Sequence, residues 1–529
     1  MKKISLFIIL VGLIATLEAK EKKEPVVMTV AGKDVPLSEF IFMAKKDNSV
    51  DFKNKQSVKN YIELYKNYKL KVADAEALSI HQAPKFDSEL EKYSFQLQQS
   101  YLIDKSGEDS AMRAIYERSK ILPGIKQIYF SYPRELFVSK QILTKDTLEL
   151  FGKANEAWLR IKNGESFEDV GASLSNGTDI MYSVTDYVYP FSLQDKGLED
   201  YIYSMQPGDI SRPVRSMHGF HLIKMDRIIP NPGTVRVSHI ISAFPSENPT
   251  DNEIEETRRK SEEIYQKAIA NEDFSALVLA FSDDSTNAKN GGMLEFGLGD
   301  VMEPIEKVGF ALENIGDISK PFQTRYGFHI LKLVDRKPEV PFEEVESKIY
   351  DAMDDSDRFF DLHRSFVEHM KVRHGYVFDA EAYNELKSLA DEFFPTDSVF
   401  AYRGIELHKT LVCIDSFDFR QGEFVEYLVK KHRSAQPYSI DFMQDVFNFF
   451  IFEIVTEIER NSLERDYPDY VLQLKEYYDG ILLFEISNKR VWSRPVEEQE
   501  QLEAEWVKEL NEKYPVTINW KVINKIKKI

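Results

Sequence analysis

The chain has 529 residues, of which 43% are hydrophobic, and a formal net charge of −20 at pH 7. Nucleic-acid binding requires a basic surface that neutralises phosphates, so this acidic balance disfavours that class of partner. The apolar content argues against disorder over most of the chain, and the length exceeds what one hydrophobic core supports, so several domains are expected.

The first residues are predicted to be an export signal. Lys2 and Lys3 precede an apolar run from Ile4 to Ala15, and Leu17-Glu18-Ala19 is typical of a cleavage site. The run is about twelve residues long, shorter than the roughly 20 that cross a bilayer, and no cysteine lies nearby to carry a lipid anchor. We therefore expect residues 1–19 to be removed on export, leaving no transmembrane anchor.

Residues 25–118 are predicted to form a mostly helical N-terminal segment. A short strand pair is expected first, with its turn near Gly32 and Lys33. The stretch from Tyr61 to Val72 then combines apolar and basic positions at helical spacing.

An internal repeat occupies the middle of the chain. Residues 207–228 read PGDISRPVRSMHGFHLIKMDRI, and residues 315–336 read IGDISKPFQTRYGFHILKLVDR. Both copies contain G-D-I-S-(basic)-P and then, at the same spacing, G-F-H-(apolar)-(apolar)-K. The copies lie 108 positions apart, which predicts two modules of roughly a hundred residues each, at 122–229 and 234–337.

The second copy has the pattern of a small α+β unit with an antiparallel sheet. A strand is predicted at Val235–Ile241, and the capping box of Thr250 and Glu253 marks the start of a helix. A shorter helix is expected around Phe274–Phe281, before a loop rich in Asp, Ser, Asn and Gly. The closing strand is predicted at Gly327–Leu333.

The segment 341–529 is predicted to be mostly helical. One of its helices, which contains Phe447 and Phe450, is hydrophobic nearly all round and should therefore be buried. The long helical patterns lie near residues 342–373, 421–433, 438–463, 468–490 and 496–512.

Neither disulfide nor metal chemistry is expected to stabilise the chain. The single cysteine, Cys413, cannot form an internal disulfide and is predicted to lie in a buried strand. His363, His369 and His374 fall in or near one predicted helix, but their spacings of six and five do not place them on one face. We interpret these histidines as surface residues.

The second copy resembles the parvulin-type peptidyl-prolyl isomerases, and the order of segments resembles the SurA-type periplasmic chaperones. The resemblance is strongest at Val235–Ile241 and Gly316–Leu333, extends over Phe281–Leu294, and is weaker at the ends, as in Tyr65–Val72. It implies an α+β multidomain fold in which two parvulin-like modules, each an antiparallel sheet with flanking helices, lie between mostly helical terminal segments. Those terminal segments are expected to form a chaperone core.

The resemblance also implies a site that needs no cofactor. The paired histidines of the family correspond to His239 and His329, and its Cys-or-Asp position corresponds to Asp284, with Asp283 as the alternative. The residues expected to bind substrate are Leu294, Val301, Met302, Ile305, Phe310, Thr324 and Phe328. The sequence after the double glycine is shorter than in most parvulins, which predicts an apolar pocket that lacks one aromatic ring.

Each of these residues also has a purely structural interpretation. A single histidine in an apolar strand is often a core residue, and Asp284 is suited to cap the turn before Asn287. Gly291 and Gly292 are compatible with any tight turn.

The first copy departs further from the family. No histidine occurs between Ile121 and Met217, and Tyr129 lies near the place of the missing one. His221 remains in the G-F-H motif. We expect this module to be a non-catalytic scaffold or a peptide-binding surface.

The resemblance therefore implies a periplasmic peptidyl-prolyl isomerase and folding chaperone for exported or outer-membrane proteins. Its partners would be unfolded or proline-containing polypeptides and not nucleic acids. The alternative is a non-catalytic holdase that uses its parvulin modules only to bind peptides. A third hypothesis is a structural adaptor of the cell envelope.

Overall fold

A computed structural model describes residues 24–47, 50–133, 144–193, 195–395, 397–432 and 441–526. The predicted export signal at 1–19 lies outside these ranges. The fold is α+β and multidomain, as predicted, with antiparallel sheets flanked by helices. The chain divides into two compact units, one formed by residues up to Leu102 and from Ile458 onward, the other by Ile103–Glu457.

The N-terminal segment begins with the predicted strand pair and continues as helices. Ala31 and Gly32 both adopt positive φ at the hairpin turn, the conformation that matches the twist of the two strands. The elements are β1 (Val26–Val30), β2 (Lys33–Pro36), α1 (Leu37–Lys46), α2 (Lys55–Ala77), a 3₁₀ turn (Ile80–Gln82), α3 (Pro84–Gln99) and α4 (Lys105–Ser119).

The first module is a four-stranded antiparallel sheet in the order β4-β3-β6-β5. One apolar core forms around Ile128 and Phe167 and another around Ile125 and Ile202, because alternate residues of β3 point to opposite faces. The elements are β3 (Ile121–Ser131), α5 (Thr144–Lys162), α6 (Phe167–Leu174), β4 (Ile180–Thr185), α7 (Lys196–Ser204), β5 (Val214–Ser216) and β6 (Gly219–Pro230).

The second module repeats this topology in the order β8-β7-β10-β9. The predicted capping box is present, with the Thr250 side chain and the Glu253 side chain each accepting the other's backbone N–H. The elements are β7 (Thr234–Ala243), α8 (Asp251–Ile269), α9 (Phe274–Phe281), α10 (Ser285–Ala288), β8 (Met293–Phe296), α11 (Glu303–Ala311), β9 (Phe322–Thr324) and β10 (Gly327–Lys337).

The C-terminal segment is mostly helical, but it also contains a small sheet in the order β11-β12-β13. Cys413 lies in β12, as expected, and is partly buried. The elements are α12 (Phe342–Asp354), α13 (Phe359–Arg373), β11 (Val377–Phe378), α14 (Ala380–Glu392), α15 (Ser398–Ile405), β12 (Thr410–Ile414), β13 (Phe417–Arg420), α16 (Gln421–His432), α17 (Phe442–Asp466), α18 (Pro468–Ser487), a π turn (Asn488–Trp492), α19 (Val496–Lys513), β14 (Val516–Ile518) and α20 (Trp520–Ile523).

The first and last described strands pair in the first unit. Strand β14 pairs antiparallel with β1, which places C-terminal residues in the N-terminal sheet. Asp74 of α2 is fully buried and accepts hydrogen bonds from Lys513 Nζ at 2.8 Å and Trp506 Nε1 at 3.3 Å. The C-terminal helices thus complete the core of the N-terminal segment.

The interpretation of His363, His369 and His374 as surface residues is wrong for two of them. His363 on α13 and His374 directly after it are buried, while His369 is exposed. His363 lies between Glu108 of α4 and Asp354 of α12, with its ring nitrogens 3.2 and 3.0 Å from their carboxylate oxygens. Within the described ranges, no cluster of histidine, cysteine and acidic residues is arranged to hold a metal ion. None of the described helices combines the length with the apolar composition that a membrane span needs.

Candidate active site

Two imidazoles meet on one face of the second module. His239 of β7 lies opposite Leu331, and His329 of β10 lies opposite Ile241, so the two histidines are diagonal neighbours on the sheet. Nε2 of His239 is 2.8 Å from Nδ1 of His329, and the ring planes differ by 8°. This N···N distance requires a shared hydrogen bond, because two protonated nitrogens would repel each other.

A hydroxyl extends the pair into a chain of three side chains. Thr324 Oγ1 lies 2.7 Å from Nε2 of His329 and accepts the backbone N–H of Tyr326 at 3.1 Å. Both links of this chain are satisfied when Thr324 donates to Nε2 of His329 and the Nδ1–H of His329 donates to Nε2 of His239. Both imidazoles are neutral in this arrangement.

Burial favours the same neutral state. It lowers the pKa of His239 to about 4, although the carboxylate of Asp284 acts in the opposite direction. Burial also lowers the pKa of His329 to about 3, and the adjacent His239 lowers it further. At neutral pH the pair therefore presents protons and lone pairs, and no net charge.

We expect both imidazoles to stay neutral as the pH is lowered from 7 to about 5, which ¹⁵N chemical shifts of the ring nitrogens will report. These folded pKa values lie below the ordinary 6.5, so the stability they contribute is present above about pH 6.5 and is lost as the pH falls through 4. His363 is the internal contrast, because Glu108 and Asp354 raise its pKa despite its burial. A protonated His239 at pH 6 would contradict this prediction.

The double glycine holds β7 in place at His239. Gly292 accepts the backbone N–H of His239 at 2.9 Å, and Ser238 Oγ donates to the carbonyl of Gly291 at 2.5 Å. Gly292 has a φ of 65°, and a Cβ there would overlap the carbonyl oxygen of His239. Glycine is required here by both backbone conformation and close approach.

Asp284 lies at the start of α10 and caps it. Its Oδ1 accepts the backbone N–H groups of Thr286 and Asn287, both at 3.2 Å. No hydrogen bond joins Asp284 to either imidazole within the part of the chain that the structure describes, so its influence on His239 acts through space. Asp283 is directed elsewhere, accepting from the backbone of Ala243 and from Lys260.

An apolar cluster borders the imidazole pair. Ile305 is buried in it, and the other four members named from the sequence are partly buried, so they present surface to a ligand. These four are Leu294, Val301, Met302 and Phe310.

Phe322, which is not among the residues predicted to bind substrate, joins this cluster and stacks on the His329 ring, with centroids 5.5 Å apart. Phe322 therefore adds an aromatic ring to a pocket that the sequence predicted to be one ring short. Phe322 directly follows the repeated G-D-I-S-(basic)-P frame, where the first copy has Val214, so a comparison of the copies contained a signal for it.

The structure corrects the placement of Phe328. Successive residues of a strand point to opposite faces, so Phe328 lies on the face of β10 away from His329. It is buried and packs edge-on against Phe244, with centroids 5.9 Å apart. Phe328 therefore supports the sheet and does not line the apolar cluster.

The first module carries a related chain with a different first member. His221 lies opposite Tyr129 in the sheet. The position that corresponds to His239 is therefore Gln127, whereas the sequence suggested Tyr129. Gln127 Oε1 is 3.3 Å from Nδ1 of His221, and Ser216 Oγ is 2.8 Å from its Nε2. Tyr129 instead stacks on the His221 ring, with centroids 4.7 Å apart.

Comparison with known proteins agrees with this pairing of modules. Residues 136–227 and 239–335 match the PPIC-type PPIase domain of the rotamase family. Chaperone SurA of Chromohalobacter salexigens is 28% identical over 193 residues, which cover 35% of this chain and 43% of the relative. Chaperone SurA of Pseudomonas syringae is 30% identical over 191 residues, which cover 35% and 44%. The chain thus spans less than half the length of these two relatives.

A solved SurA-like chaperone of Campylobacter jejuni is 16% identical, with 66% of this chain and 96% of that chain covered. The TM-score of 0.22 is too low to indicate a shared overall arrangement. The similarity rests on the two segments that match the PPIC-type PPIase domain and on the likeness to these SurA relatives.

Proposed function

We propose that this protein is a peptidyl-prolyl cis–trans isomerase and a folding chaperone for exported or outer-membrane proteins, with its activity in the second module. The observation that carries this proposal is the neutral pair of His239 and His329 at the border of an apolar cluster. Among the described residues of the first module, Gln127 occupies the place that His239 has in the second.

Prolyl isomerisation twists the imide bond and breaks no covalent bond. We therefore propose that it needs no cofactor. Rotation about a peptide bond faces a barrier of about 18–20 kcal/mol, set by C–N resonance. For X–Pro bonds the two isomers differ by only about 0.5–1 kcal/mol, so both are populated and exchange slowly. Catalysis therefore means stabilising the twisted state relative to either planar isomer.

The apolar cluster and the imidazoles contribute differently to that stabilisation. An apolar environment for the proline ring disfavours the charge-separated resonance form of the planar imide. The hydrogen-bonded chain from Thr324 through His329 to His239 can reverse its direction, because each member both donates and accepts. Reversal changes Nδ1 of His239 from a hydrogen-bond donor to an acceptor. The site can therefore match the changing hydrogen-bonding needs of the imide as it twists, without gaining charge.

The remaining segments are assigned to client binding. We propose that the module at 234–337 is catalytic, that the module at 122–229 is a non-catalytic scaffold or peptide-binding surface, and that 25–118 and 341–529 hold unfolded or proline-containing polypeptides. The proposed location is the periplasm, reached through the signal at 1–19.

The test uses the intact mature chain and a proline-containing tetrapeptide whose cis-to-trans conversion is followed. We expect substoichiometric protein to accelerate the conversion, and His329→Ala to remove that acceleration because both links of the chain are lost. The matched control is His221→Ala in the first module, which should leave the rate unchanged. Suppressed aggregation of an unfolded β-barrel protein without any acceleration would instead indicate a holdase.

A further inference from the structure

A loop of the first module contacts a loop of the second. Residues 186–192 follow β4 of the first module, and residues 297–302 connect β8 to α11 of the second. The Tyr187 hydroxyl donates a hydrogen bond to Oε1 of Glu306, and the backbone N–H of Gly299 donates to Oε2 of the same carboxylate at 2.5 Å. Glu306 is only 3% exposed, so its hydrogen bonds replace solvent.

A second tyrosine of the same loop packs on the same turn. The Tyr189 ring lies directly against Gly299, where any Cβ would overlap it. Gly299 has a φ of 88°, a conformation that also favours glycine. The turn at 297–302 is thus shaped to receive Tyr189.

The loop at residues 186–192, called the tyrosine loop below, is itself fixed to the first module. Val188, between the two tyrosines, is buried, donates its N–H to the carbonyl of Pro123 at 2.7 Å and accepts the Tyr203 hydroxyl at 3.0 Å. Phe191 has a φ of 67°, and its N–H donates to Glu199 at 2.9 Å. These buried partners hold the loop in one backbone conformation, so Tyr187 and Tyr189 have fixed positions.

The turn at 297–302 leads into the apolar cluster beside the imidazole pair, which is the proposed proline pocket. Val301 and Met302 belong to both the turn and the apolar cluster, and Ile305 follows on the first turn of α11. The Glu306 carboxylate accepts the backbone N–H of Gly299, so it ties this helix to the turn that carries Val301 and Met302.

We infer that Tyr187 and Tyr189 are positioning residues for the proline pocket of the second module, so that the first module sets how well the second binds its substrate. This inference rests on the proposed function. It gives the module without an imidazole pair a role in the reaction of the other one.

The test compares Tyr187→Phe with wild type in the full chain. Loss of the hydroxyl leaves a buried carboxylate oxygen without its donor, so we expect amide hydrogen exchange at residues 297–302 to accelerate about tenfold. In the prolyl isomerase assay, KM should rise about five- to tenfold while kcat stays within about twofold, because substrate positioning is lost and the imidazole pair is untouched.

Tyr201→Phe is the matched control, since Tyr201 lies on α7 of the same module and is exposed. It should change neither exchange nor KM. Glu306→Gln combined with Tyr187→Phe should be no worse than the single variants, because both disturb one interaction. Strictly additive effects, or unchanged exchange at 297–302, would overturn the inference. A wild-type chain without isomerase activity would refute the proposed function alone, and the exchange measurement would still decide the coupling.

Discussion

Replacing His239 with glutamine is expected to lower kcat/KM for prolyl isomerisation about 100-fold in the intact chain, the scale seen when one preorganised polar group is removed from an active site. Glutamine preserves a polar group that reaches Nδ1 of His329, as Gln127 reaches His221 in the first module. It does not preserve the imidazole that closes the reversible hydrogen-bonded chain. Activity should therefore fall while the fold persists.

The first module shows that a glutamine is compatible with this sheet and this network. The unfolding temperature of His239→Gln should consequently stay within a few degrees of wild type, since a hydrogen-bonded group replaces another of similar size. Gln127→Ala is the control for the sheet position, and it should leave kcat/KM unchanged. Retention of more than about a tenth of the wild-type kcat/KM by His239→Gln would show that the imidazole pair is dispensable.

The sequence was sufficient to predict the parts of the site that local pattern and repetition determine. The repeated G-F-H frame predicted His329 and its strand. The family likeness predicted His239, which lies two positions from Ile241, the residue paired with His329. The capping box at Thr250 and Glu253 was also a local signal, because both partners lie within one helical turn.

Properties that depend on register or on distant partners were not accessible in this way. The stretch between the paired residues Ser131 and Gly219 of the first module is four residues longer than the stretch between Ala243 and Gly327 of the second. The equivalent of His239 is therefore Gln127, which an ungapped comparison of letters does not reveal. Phe328 and His329 are adjacent in sequence but face opposite sides of β10, and only the packing partners show which side lines the pocket.

Burial of single polar residues was equally hidden. The spacing of histidines along its own helix predicts an exposed His363, but its partners Glu108 and Asp354 come from other helices. The pairing of β14 with β1 joins residues almost 500 positions apart, and three-residue strands such as Val516–Ile518 have no distinctive pattern of their own.

Replacing Arg358 with alanine is expected to lower the free energy of opening of α7 by about 3 kcal/mol, the loss typical of removing one partner from a buried ion pair. Arg358 is 2% exposed and Glu199 of the first module is 1% exposed. Their charged atoms lie 2.5 Å apart, and Glu199 also accepts the N–H of Phe191 in the tyrosine loop. Native-state hydrogen exchange of the α7 amides measures the loss directly. Arg364→Ala is the control, because Arg364 is exposed and its pair with Asp361 should contribute under about 1 kcal/mol.

The pH dependence of that loss separates charge from packing. Burial raises the pKa of Glu199, while Arg358 and Arg118 lower it, so removing Arg358 raises the pKa further. A carboxyl group whose folded pKa exceeds its unfolded value stabilises the fold when protonated and loses that contribution as the pH rises. The deficit of Arg358→Ala should therefore be largest near neutral pH and shrink as the solution is acidified toward the range where Glu199 binds a proton. A deficit that stays constant from pH 7 to about 5 would mean that the guanidinium acts through packing alone.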